Sequence, residues 1–308
     1  MIELWRDDLI YWVKDVVISE KGVVALSHGA VYYYNHEGEL CWEEDIDATS
    51  ISPHGDGMIA GCEDGEVYCF DNGGKELWRC DVGEKIKKVC SASSITCAAT
   101  SKGKIIIIKK GKILWEYKAG RKIDDVAIFP ELYAAVIAKD LITGRVLLFD
   151  VSGRILWNSK INTHIGEASL DISSRLIVVG TLQGVYLFEK NGDRVWRNAL
   201  SGIRSVAITS DGKYIAAGAV DGKAYLLSYR GKIVWKKVLS SAVRKVLVTD
   251  EGNYVCNDGK GLRIFNPQGA LIWKFEGDVS AFDITPDLSK IVIGKEDGQL
   301  ILFGWDGK

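Results

Sequence analysis

The chain has 308 residues, of which 47% are hydrophobic and 26% charged, with a formal net charge of −2. Such a composition excludes a disordered, collagen-like or low-complexity polypeptide, and no apolar run approaches the ~18–20 residues of a membrane span. The 33 glycines, 4 prolines and 10 tryptophans are out of proportion to that ordinary background. The opening MIELWRDDLIYWVKD is acidic where a secretory leader would be basic and then apolar.

Eight tryptophans, Trp5, Trp42, Trp78, Trp115, Trp157, Trp196, Trp235 and Trp273, recur at intervals of 36 to 42 residues. The residues after Trp273 and those up to Trp5 together make one more interval, giving a mean of about 38.5. A linear solenoid has no cause to make its two ends complete one repeat, whereas a ring does. Gly38, Gly74, Gly111, Gly153, Gly192, Gly231 and Gly269 each precede a repeat tryptophan by four. A second series (Gly29, Gly65, Gly103, Gly144, Gly184, Gly222, Gly261) keeps its own phase, and both fit hairpin turns.

In chain order, MIELWRDD is expected as the outermost strand of the last blade. Each later repeat reads as four short strands, as in IRSVAIT, YIAAGAV, KAYLLSY and IVWKKVL over 203–239, separated by SDGK, DG and RGK. The first two strands are nearly continuous apolar runs, suited to burial on both faces, and the fourth is charged and edge-like. The last repeat supplies SAFDITP, KIVIGKE and QLILFGW. The expectation is therefore an all-β, eight-bladed β-propeller of four-stranded antiparallel blades, with 1–308 as a single domain and the ring closed by the N-terminal strand joining the C-terminal blade. The tryptophans are expected to seal each blade against the glycine-bearing backbone of its neighbour.

The segments YCFDNGGKELW (68–78), LLFDVSGRILW (147–157), YLFEKNGDRVW (186–196) and RIFNPQGALIW (263–273) resemble the repeats of quinoprotein-dehydrogenase-like (PQQ-like) propellers, with their tryptophan-docking motif. The family's Thr before the glycine is missing, and its Asp is displaced by one residue. Phe70-Asp71 and Phe149-Asp150 are also similar to the Trp-Asp of WD-repeat propellers, without that family's Gly-His signature. The quinoprotein resemblance implies a calcium ion, a catalytic Asp, an Arg and adjacent cysteines at the funnel. This chain has no Cys-Cys dipeptide and no inserted loops to build a quinone site.

Seven cysteines (Cys41, Cys62, Cys69, Cys80, Cys90, Cys97, Cys256) without a CxxC fit neither a zinc site nor a secreted disulfide framework, which favours a reducing, cytoplasmic setting. Cys90 with Cys97, or Cys69 with Cys80, could face each other across a hairpin. The four histidines, His28, His36, His54 and His164, fall at unrelated phases, and there is no GxSxG elbow. No catalytic, cofactor or metal residue is assigned, and no cofactor is expected.

Binding is expected at the face shared by the loops entering the inner strands and those between second and third strands. The rim candidates are Lys14, Asp15, Lys87, Lys88, Asp124, Asp125, Glu167, Arg204, Arg244 and Lys245, with Asp47 and Ser280 in the same alignment. Residues 1–80 hold 5 Lys/Arg against 17 Asp/Glu, and residues 81–122 hold 11 against 3. That asymmetry favours oriented docking to a charged partner, and Lys102, Lys104, Lys109 and Lys110, beside Lys112, are the candidate basic surface. It is too local for a nucleic-acid face. Leu141 and Ile142, in the loop of the longest repeat, are candidate partner contacts. Trp12 and Trp305 stand outside the repeat series and are placed near the closure seam.

The expected function is a non-catalytic scaffold, monomeric by itself, that binds a protein or peptide and neither nucleic acid nor membrane. A divergent quinoprotein-type oxidoreductase, or a ligand-sensing or assembly propeller, is the alternative.

Overall fold

A computed structural model describes every residue except 56, 130–132, 140–142, 163–167 and 306–308, with the backbone alone at 133–139 and 162. The described strands pair into four-stranded antiparallel sheets, eight in all, each made of consecutive hairpins. We number them 1 to 7 in chain order: residues 13–44, 48–81, 86–118, 123–162, 169–198, 203–238 and 245–276. The remaining sheet, sheet 8, combines Ala281–Ile284, Lys290–Gly294 and Gln299–Gly304 with the N-terminal strand Ile2–Asp8. Ile2 lies opposite Gly304 and Asp8 opposite Gln299, so the N-terminal strand forms the outer edge of that sheet.

The single closed ring expected for residues 1–308 is corrected in one respect. The structure divides into two compact units, residues 1–120 with 278–308, and residues 121–277. The first contains sheets 8, 1, 2 and 3, and the second contains sheets 4 to 7. Each unit is a run of propeller-type blades. A repeat period specifies how many sheets are made but carries no information on how the packing between them is partitioned.

Hydrophobic pattern explains the order of strands within a sheet. Inner strands such as Ile203–Ile208 and Tyr214–Ala219 are almost wholly buried, while outer strands such as Ile233–Val238 expose alternate residues. A feature absent from the periodic pattern recurs in all eight outer strands: the register slips by one at the residue before the tryptophan. The skipped residues are Leu4, Cys41, Leu77, Leu114, Leu156, Val195, Val234 and Ile272. Such a β-bulge re-aims the side chain that follows it.

Re-aimed in this way, the indole of Trp42 lies on Gly74 of the next sheet. A Cβ at Gly74, whose φ is +80°, would come within 2.7 Å of the Trp42 ring. Trp5 on Gly38, Trp157 on Gly192, Trp196 on Gly231 and Trp235 on Gly269 repeat the arrangement inside their respective units. The Nε1–H then donates to the carbonyl two residues before the glycine: Trp5 to His36 (3.1 Å), Trp42 to Asn72 (3.0 Å), Trp157 to Lys190 (2.8 Å) and Trp196 to Tyr229 (2.7 Å). Trp235 is the exception, with a buried Nε1–H that meets no acceptor among the described residues.

This contrast gives a differential prediction. Trp42→Phe leaves the Asn72 carbonyl without its donor and should cost about 1–3 kcal/mol more than Trp235→Phe, which removes an N–H that bonds to nothing. Urea denaturation of the two variants checks this, and equal losses would show that the indole hydrogen bond contributes nothing to the seal.

Candidate functional site

Five inner strands carry a second bulge, and in four of them it falls on residues predicted to line the rim. Lys14, Thr49, Lys87 and Arg204 are each skipped in the register of their inner strand, and Asp124 and Asp125 together face one residue of the next strand. The bulge turns side chains of neighbouring residues out of alternation. In the first unit, Lys14 is exposed and Asp15, Lys87 and Lys88 are half-buried. In the second, Arg204 and Arg244 are exposed, whereas Asp124, Asp125 and Lys245 are half-buried. Glu167 lies outside the described residues.

Several inner-strand polar groups are committed to holding one sheet to the next. Asp125 accepts from the Val126 N–H (2.9 Å) and, across the sheet boundary, from the Leu170 N–H (2.9 Å). Asp171 accepts from Ile208 (2.9 Å) and Asp283 from Ile18 (3.0 Å). Ser50, Ser169 and Ser205 accept from Val89, Val206 and Val246 at 3.0–3.2 Å. At its bulge, Thr49 donates to the Ile86 carbonyl (2.7 Å), and Ser280, just before its inner strand, donates to the Val13 carbonyl (2.6 Å). Lys87, Lys88, Asp124, Arg244 and Lys245 also have partners. Small polar residues recurring at one inner-strand phase were the available sequence signal for this bonding.

The basic candidates do not form one surface. Lys102 and Lys104 lie at one end of the strand Lys104–Lys109, and Lys109 and Lys110 at the other, roughly 17 Å away along an extended chain. Lys102, Lys109 and Lys110 are exposed. Lys104 pairs with Glu84 at 3.0 Å, and the Thr100 hydroxyl donates to the same carboxylate at 2.8 Å. Burial alone would raise the Glu84 pKa, but the bonds from Lys104 and Thr100 outweigh it and hold the carboxyl below its ordinary value. Leu141 and Ile142 lie outside the described residues.

The loops entering inner strands and the turns between second and third strands meet at one end of sheets 2, 3 and 6, as the bonds from Glu63 N–H to Asp47 O, Ser101 N–H to Lys85 O and Val220 N–H to Gly202 O (2.9 Å each) demonstrate. At this end of sheet 2 is a cleft of about 510 Å³ lined by Asp45, Asp47, Cys62, Glu63, Asp64 and Tyr68. Glu63 pairs with Lys85. Asp45, Asp47 and Asp64 have no ion-pair partner among the described residues. Burial, then the charges of Asp64, Asp47 and Glu66, push the Cys62 thiol up to about 12. The Tyr68 phenol is raised by burial and by Asp64 and Glu66. A thiol so held is protonated at neutral pH and is no nucleophile. The field in the cleft suits a bound cation.

Beside it runs a loop the repeat pattern does not account for. Ile10, Tyr11 and Trp12 are 84%, 53% and 48% exposed. Trp305 is at the opposite end of sheet 8, where its N–H bonds the Ser289 carbonyl at 3.1 Å. That end has its own cleft, of about 650 Å³, with Lys21, His36, Pro53, Asn72, Asp287 and Lys290 in its walls. Cys90 and Cys97 face each other in register as free thiols, whereas Cys69 faces Trp78 and Cys80 faces Val67. No group of three His, Cys, Asp or Glu side chains among the described residues is arranged to hold a metal ion.

A family model, PQQ_2, described as outer membrane protein assembly factor BamB, matches residues 3–117, 63–200 and 144–308. No curated protein matches the sequence. Among solved structures, the computationally designed Ika8 protein has a TM-score of 0.84 at 16% identity, covering 98% of this chain and 99% of that one. BamB from Moraxella catarrhalis has a TM-score of 0.79 at 14% identity, and Sqt1 from Saccharomyces cerevisiae 0.83 at 13%, each covering 99% of both chains. At these identities the likeness is one of fold.

The Lys104–Glu84 pair yields a pH prediction. Glu84 is depressed in the folded state, so its contribution is present above the ordinary value of 4.5 and is lost as pH falls through its lower folded value. Lys104→Met should melt below the parent at neutral pH, and the gap should close as the solution is acidified past that point. A gap independent of pH in thermal melts would show that Lys104 acts by packing alone.

Proposed function

Because the chain belongs to the PQQ_2 family described as outer membrane protein assembly factor BamB, we propose that it is a non-catalytic propeller scaffold that holds a protein partner. The observation that carries this reading is the loop of Ile10, Tyr11 and Trp12, three large apolar side chains presented together to solvent. Contiguous apolar exposure of this kind marks an interaction surface, and aromatic anchors dominate such contacts. The family's description supports a role in assembly, in which the partner is bound and passed on rather than chemically altered. A reducing, cytoplasmic location belongs to the same proposal. Its support is the use of Cys62, Cys69, Cys97 and Cys256 as small buried core groups.

Purification of the tagged full chain from its native host, with mild crosslinking, should yield a stoichiometric protein partner, and Ile10→Ser with Trp12→Ser should reduce its recovery. Metal analysis and an absorption spectrum of the same preparation test the enzymatic alternative: stoichiometric calcium together with a quinone chromophore would overturn the scaffold reading.

A further inference from the structure

The partner's chemistry can be read from what surrounds the exposed loop. The loop is fixed at both ends: Leu9 N–H bonds Gly298 O and Val13 N–H bonds Lys295 O, each at 3.0 Å. Between these, the Ser27 hydroxyl lies 3.0 Å from the Tyr11 carbonyl and 3.2 Å from that of Trp12. The backbone polar groups are thus turned inward and the side chains of Ile10 and Trp12 outward, in a conformation set before any partner arrives. Ordering a mobile loop on binding is costly, and this loop avoids that cost.

From the loop, an unbroken series of contacts leads to the acidic cleft. Tyr11 packs edge-on against His28, with ring centroids 5.5 Å apart. Gly29, next to His28, lies against Asp47, whose Oδ1 is 3.8 Å from where a Cβ would stand. Asp47 is a wall of the cleft. Tyr32 stands between the two features: burial raises its phenol first, followed by the charges of Glu43 and Asp45 and by Tyr11. Glu43 and Glu44, immediately before Asp45, are exposed as well. An apolar ledge therefore adjoins a run of carboxylates in which, among the described residues, only Glu63 has a lysine partner.

We propose that this surface binds an extended segment rich in lysine or arginine that carries a large apolar residue, its cations over Asp45, Asp47 and Asp64 and its apolar side chain against Ile10 and Trp12. The proposal rests on the scaffold reading and deepens it by naming the partner's chemistry. Charge complementarity selects the occupant. Anionic lipid headgroups and nucleic-acid phosphates would meet the same carboxylates and be repelled, so neither fits a ledge bordered by acids.

The test uses the full chain and a fluorescein-labelled dodecapeptide of alternating lysine and leucine, followed by anisotropy. Two further peptides replace leucine by serine or lysine by glutamate. The lysine–leucine peptide should bind and weaken with added salt, the lysine–serine peptide should bind about tenfold more weakly, and the glutamate–leucine peptide should not bind. Ile10→Ser with Trp12→Ser, and separately Asp45→Asn, Asp47→Asn and Asp64→Asn together, should each weaken the first peptide by about tenfold or more. Asn keeps the side-chain oxygen by which Asp64 accepts from the Glu66 N–H (2.9 Å), so the second variant retains its turn. Circular dichroism and melting of both variants confirm the fold. Reversal of Lys102, Lys109 and Lys110 to glutamate should leave binding undiminished.

Equal binding of the glutamate and lysine peptides, or parental binding by both variants, would overturn the proposal. So would uptake by phosphatidylglycerol vesicles through Ile10 and Trp12 in the absence of peptide binding. A native partner still recovered by the Ile10/Trp12 variant would leave the scaffold reading standing and remove this one, whereas failure to recover any partner from the host would count against the scaffold reading itself.

Discussion

Within each unit, a blade is held to the next by a flat ring lying on a glycine that has no side chain to keep it away. The contact needs two things in register, a bulge before the tryptophan to swing the ring and a left-handed glycine to receive it, and at Trp5, Trp42, Trp157 and Trp196 a carbonyl two residues before the glycine also accepts the indole N–H. The bulge has a further effect. It leaves one residue per outer strand unpaired and outward, and in seven of the eight strands that residue is a Leu, Val or Ile. Exposed aliphatic residues there follow from the geometry of the seal and need no separate function. Those of the loop at Ile10 have no such explanation, and this sets them apart.

Near the inner strands a different bonding system does the same work. Hydroxyls and carboxylates of one inner strand accept N–H groups of the next, so groups that look available in the sequence are committed in the fold. Asp125 shows this most clearly, with one oxygen on its own strand and the other on its neighbour's. Among the described rim candidates, the charged side chains left over are Lys14 and Arg204, at exposed bulge positions.

Four-stranded sheets, turn glycines and the outer tryptophans were all legible in the sequence, because each repeats with one period and a period survives divergence. The bulges were not, since a single slipped residue leaves the alternation of an outer strand looking merely irregular. The division into two compact units was invisible for the reason that identical repeats carry no mark of where packing is concentrated. Site reading suffered from the opposite problem. Lys102 to Lys110 form one cluster along the chain, but a strand lies between its two ends and places them far apart, while Tyr11, Gly29 and Asp47 are distant in sequence and adjacent in space. Trp12 is conspicuous in the sequence because it falls outside the series, whereas nothing in the repeat pattern marks its neighbours Ile10 and Tyr11.

The outer edge of sheet 8 has a bearing on how the molecule is made. Ile2–Asp8 leaves the ribosome long before its pairing partner, Gln299–Gly304. Until Gln299–Gly304 has been made, sheet 8 does not exist and Trp5 has no bulged strand to aim it at Gly38. Sheet 1 must therefore form with its receiving glycine uncovered. Pairing across almost the full chain length carries a large loop-closure entropy unless the intervening sheets have already folded and brought the ends together. The hydrogen bonds between these two strands thus join an early and a late stretch of the chain, and the order of translation makes closing this sheet a late event in folding.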